Sequence, residues 1–96
     1  MGLKDEYFAT MTSQFKRWDA EFGMLSEKVA QMTDAARAQF DEQLKAMHAS
    51  RDAAFKSLQE IRTANESGWR RMQSGLDTSW ASMKNALDMA SSRARK

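Results

Sequence analysis

His48 is the only histidine in this chain of 96 residues, and cysteine is absent. A zinc site or a catalytic base needs further imidazole, thiolate or carboxylate groups brought to it. With one imidazole and no thiol there is little to assemble, and His48 reads as a boundary or surface residue. Eight methionines offer thioethers to a soft metal such as copper(I). Met11, Met32, Met47, Met72 and Met83, however, recur at helical spacing, where methionine fills a core. Carboxylates occur in pairs at Asp5-Glu6 and Asp41-Glu42. Adjacent residues on a helix point to different parts of its surface, so neither pair shares a proton. There is no phosphate-cradling glycine loop, nucleophile elbow or zinc-binding helix motif. The residues therefore predict no enzymatic activity, no catalytic or metal-binding residue, no cofactor and no small-molecule substrate.

With chemistry set aside, composition speaks for packing. Hydrophobic residues make up 42% and charged residues 29% of the chain, which suits one folded domain over residues 1–96. There is no proline and there are only four glycines, so few positions oblige a helix to stop. The opening residues lack the apolar core of a secretory signal, and no run of apolar residues is long enough to span a bilayer. A cytoplasmic protein is expected, with a membrane-peripheral place as the variant. The net charge of +2 is unevenly laid out. Residues 67–96 carry Arg70, Arg71, Lys84, Arg93, Arg95 and Lys96 against Asp77 and Asp88 alone. Arg70 and Arg71 diverge on a helix and the basic tail is short, so no specific nucleic-acid binding is expected.

Steps of three or four residues from Tyr7 trace one apolar stripe through the chain. It runs by Met11, Phe15, Trp18, Phe22, Leu25, Val29, Met32, Ala36, Phe40, Leu44 and Met47. It continues through Ala54, Leu58, Ile61, Trp69, Met72, Leu76, Trp80, Met83, Leu87 and Ala90, interrupted only by Arg51 and Asn65. The mean step is about 3.6 residues, the repeat of an ordinary helix. The expected fold is all-α: long amphipathic helices forming a coiled coil or helical bundle, oligomeric, with the main break at residues 65–68. That break divides a heptad-like long helix or hairpin over 1–64 from an amphipathic helix over 67–93 and a basic tail at 94–96. Asn65, Ser67 and Gly68 supply the capping chemistry for it. A weaker candidate for a break is Gln31-Met32-Thr33-Asp34, where Thr33 or Asp34 can cap a new helix but no glycine or proline obliges the first one to stop. Two breaks would make a three-helix bundle the rival of a rod.

Residues 67–77, SGWRRMQSGLD, are nearly repeated at 78–88, TSWASMKNALD. Eleven residues is close to three helical turns, so the repeat carries Trp69/Trp80 and Leu76/Leu87 straight along one side. Gly68, Gly75, Ser79 and Ala86 form a notched flank beside them, fit to receive bulky side chains of another helix. The predicted contact surface is Phe15, Trp18, Phe22, Leu25, Val29, Leu58, Ile61, Trp69, Leu76, Trp80 and Leu87. Its partners would be further copies of the chain or another helical protein. The alternatives are a peripheral lipid-binding helix, making weak anionic membrane contact through residues 67–96, and a small accessory subunit of a larger complex. With Asp5-Glu6-Tyr7, Trp18 ahead of a charged heptad run, and the closing SGWRRMQSGLDTSWASMKNAL followed by Ala90-Ser91-Ser92-Arg93, the chain resembles small bacterial coiled-coil proteins of uncharacterised function. That resemblance implies a helical assembly and no activity.

Overall fold

The structure, a computed structural model, describes residues 2–95, with the backbone alone at Arg95. Three helices follow one another: α1 (Leu3–Ala30), α2 (Asp34–Thr63) and α3 (Glu66–Arg95). They pack side by side, each against both others, into an elongated bundle of 50 × 18 × 16 Å. The described residues contain no strand, and the fold is all-α.

Both candidate breaks are present, so of the two forms considered for the first part of the chain α1 and α2 make the hairpin, and α3 follows. At the first, Thr33 takes an extended conformation and its hydroxyl oxygen accepts from the Ala36 N–H at 3.3 Å. This satisfies one of the orphan donors at the start of α2. The second break lies slightly earlier than residues 65–68. α2 closes at Thr63, Ala64 is extended, and Asn65 caps α3 by accepting from the Gly68 N–H at 2.8 Å. Gly68 is thus the third residue of α3 and not a left-handed stop, since no described residue has a positive φ. Its lack of a side chain has another use: a Cβ there would stand 2.9 Å from the Asn65 side-chain oxygen that makes the cap. At the far end α3 continues past residue 93 to Arg95, and Lys96 of the expected basic tail lies outside the described residues.

The stripe becomes a single core along the bundle axis. Its most enclosed side chains are Phe15, Val29, Leu58, Ile61, Leu76 and Leu87. α1 and α2 run antiparallel in heptad register: Phe8, Phe15 and Phe22 meet Arg62, Phe55 and His48 in turn, seven residues apart on both helices. α1 and α3 run parallel, so Tyr7 meets Trp69 and, further along, Phe15 meets Trp80. Met11, Met47 and Met83 are buried in this core, whereas Met24 and Met89 are exposed.

Gly23 and Gly75 sit inside α1 and α3 on exposed faces, and a Cβ at either would enter open space. Replacing either by alanine removes only unfolded-state freedom and is expected to raise unfolding free energy by about 0.5–1 kcal/mol. Gly68→Ala is expected to lower it by disturbing the Asn65 cap. Urea unfolding midpoints check both directions, and a stabilising Gly68→Ala would contradict the capping role.

Candidate helix-packing interface

The predicted contact residues converge inside the chain. Phe15, Trp18, Leu25, Val29, Leu58, Ile61, Trp69, Leu76 and Leu87 are buried in the bundle core, while Phe22 and Trp80 are half-buried at its edge. They form a surface between helices, and in this structure the helices they join belong to one molecule.

The arrangement is built in layers. At the middle, α1 contributes Phe15, with its ring centroid 5.5 Å from both Phe55 of α2 and Trp80 of α3. Arg51, the polar interruption of the stripe, closes this layer at the surface. Its guanidinium carbon lies 4.6 Å from the Phe55 ring centroid and 5.7 Å from that of Phe15, within cation–π range. The same group donates to both carboxylate oxygens of Asp19 on α1, at 2.9 and 2.8 Å. The Asp19 hydrogen bond is the largest influence holding Arg51 charged, and burial works against it. Arg51 therefore keeps its apolar stem in the stripe and its charge at the rim.

One turn on, Trp18 stacks on Phe22 with centroids 5.0 Å apart and planes 10° from parallel. A buried indole N–H needs an acceptor. Trp18 donates to the Met83 backbone carbonyl at 3.1 Å, which locks α1 to α3 in register.

The ends are fastened by polar groups. Lys4 Nζ donates to the Ala64 carbonyl at 2.9 Å, placing a cation on a carbonyl left over at the end of α2. The Tyr7 hydroxyl donates to Asp77 at 2.6 Å while its ring packs 5.9 Å from Trp69. Burial first, then the hydrogen bond to the Asp77 carboxylate and its negative charge, push the Tyr7 phenol far above the ordinary tyrosine range. At the opposite end Arg93 covers the Phe40 ring at 5.2 Å and donates to Gln43 at 3.1 Å.

The notched flank takes no helix at Gly75 and Ser79, whereas Ala86 is half-buried against the core. A Cβ on Gly75 would meet nothing within 4 Å, and Ser79 faces solvent. The reason is that α1 and α2 together claim the arc from Trp69 through Trp80 to Ala90, which leaves Gly75 and Ser79 on the outer side. The apolar face of α3 thus lies inside the bundle, and no helix among the described residues is long and apolar enough to cross a membrane. His48 sits on the surface with its Nδ1 3.3 Å from Asp52. No group of three histidine, cysteine, aspartate or glutamate side chains converges on one point among the described residues.

Phe8 and Phe55 belong to the packing and lie off the traced stripe, each directly after a residue on it. The seven-residue spacing of Phe8, Phe15 and Phe22 was the available signal, since it marks a second seam of α1 facing α2. Comparisons with family models, curated proteins and solved structures found no match to the chain.

Tyr7 is the only tyrosine, so the ultraviolet phenolate signal reports it alone. The folded protein is expected to show no phenolate at pH values where a free tyrosine, with a pKa of about 10, is ionised. Below that pKa Tyr7's contribution to stability is complete; above it the unfolded chain loses a proton that the folded chain retains, so stability falls as pH rises. Asp77→Asn is expected to bring the titration down only part of the way, because burial remains. An ordinary titration midpoint in the wild-type protein would contradict the Tyr7–Asp77 contact.

Proposed function

We propose that this chain is a cytoplasmic, non-enzymatic helical interaction module that acts by packing its helices against a second helical chain, in the first place another copy of itself. The observation that carries the reading is the stripe. One register runs from Tyr7 to Leu87, polar only at Arg51 and Asn65, and it crosses the α1–α2 link with apolar residues throughout, which a bundle with independent helices does not require. The rest of the surface supports the same reading. Arg37–Asp34 is a contact between neighbouring turns of α2, and Arg51–Asp19 is the ion pair that joins two helices, so exposed charge elsewhere is left to solvent or to a partner. Leu3 and Met24 stand 64% and 70% exposed, three heptads apart on α1, and add apolar surface on its outer side.

A bundle of this size works near the lower limit of what a single core stabilises, so an added helical contact has a large relative effect. Sedimentation equilibrium of the purified protein over a wide concentration range tests the proposal. The expected result is a compact monomer at low concentration that passes reversibly to a discrete oligomer. A monomer at every concentration would overturn the self-association reading.

A further inference from the structure

The link between α1 and α2 has an unusual property for a chain reversal. It consists of Gln31, Met32 and Thr33, with no glycine or proline and no positive φ. Gln31 still has helical dihedrals, φ −86° and ψ −6°, and the Met32 N–H still donates back to Val29 at 3.0 Å. Thr33 has φ −63°, a helical value, and departs from the helix in ψ, at 160°. The hydrogen bond peculiar to the bend is the Thr33 cap on the Ala36 N–H, long at 3.3 Å and exposed, while Met32 packs half-buried against the core.

The apolar pattern takes no notice of this bend. Phe15, Trp18, Phe22, Leu25, Val29, Met32 and Ala36 follow in strict alternating steps of three and four, which is heptad spacing carried across the link. The other link, Ala64 and Asn65, also lacks glycine, proline and a positive φ, but differs in the pattern. There the stripe passes through polar Asn65, which holds the Gly68 N–H at 2.8 Å.

From these observations we infer that two copies of this chain exchange α1 by straightening the α1–α2 link. The inference rests on the self-association reading above. Straightening fuses α1 and α2 into one helix over residues 3–63, about 90 Å long, that cannot fold α1 back onto its own α3. The place beside the α2–α3 pair is then filled by α1 of the second copy, which remakes the same contacts. Trp18 donates to the Met83 carbonyl of the other chain, Asp19 receives its Arg51, and Phe15 meets its Phe55 and Trp80. No new interface has to be designed, because the core already specifies it. The closed monomer holds α1 at high effective concentration and prevails in dilute solution; the exchanged dimer grows with concentration.

Two substitutions in the full chain push the equilibrium in opposite directions. Position 34 is the first of α2 and follows an extended residue, so Asp34→Pro fits the closed form. In the fused helix the same proline is interior and breaks it, which is expected to raise the dimer dissociation constant at least a hundredfold. Thr33→Ala removes the cap from the closed form alone and is expected to lower that constant about tenfold. Sedimentation equilibrium reads both, with circular dichroism confirming that helicity is retained. Should Asp34→Pro fail to fold, Thr33→Ala alone decides the question. A dimer whose stability ignores the substitutions would overturn the exchange while leaving self-association through another surface intact. A wild-type chain that never dimerises would overturn both.

Discussion

Phe15 stands where all three helices meet, and the need to enclose its ring constrains the rest of the bundle. At 1% exposure it requires a flat partner from each neighbour, supplied by Phe55 and Trp80. Once that layer is fixed, heptad steps along α1 and α2 place Phe8 at Arg62 and Phe22 at His48. On the other side, the Trp18 indole N–H bonded to the Met83 carbonyl sets how far α3 slides along α1. Apolar burial supplies the driving force and is indifferent to register. Register comes from aromatic geometry and from a few hydrogen bonds with nowhere else to go.

The polar groups obey the same logic. Arg51 would be a defect if its charge were buried, yet its stem covers Phe15 and Phe55 while Asp19 anchors the guanidinium at the rim. Asn65, the other polar residue on the stripe, stands at a link where it caps α3. Each interruption of the apolar pattern marks an edge or a turn. The buried side-chain polar atoms of the described residues all have partners. Such a core specifies one arrangement of helices, whether those helices come from one chain or two.

Much of this was legible in the sequence, because helical periodicity reports burial directly. The stripe contains nearly all of the core, and the capping letters Thr33 and Asn65 mark both turns. What periodicity does not contain is the identity of the partner face. A stripe looks the same whether it packs on its own chain or on another, so the predicted contact surface turned out to line an intramolecular core. The eleven-residue repeat misled in a similar way. Gly75 and Ser79 look like a notch for a neighbouring helix, but a three-helix bundle offers only two neighbours, and both sit on the tryptophan side. Phe55 was missed because it stands one position off the stripe, where only knowledge of the antiparallel α1–α2 pairing gives it a role.

The claim on which everything else depends is that the stripe closes upon itself within one chain. Small-angle X-ray scattering at low protein concentration tests it most directly. The bundle has a radius of gyration of 15.4 Å over its Cα atoms, and scattering from the dilute protein should give a value close to that. A continuous helix of the same sequence would be about 140 Å long, with a radius of gyration of about 40 Å. A value of that order, with full helicity, would contradict the closed bundle and return the stripe to the outside of a rod.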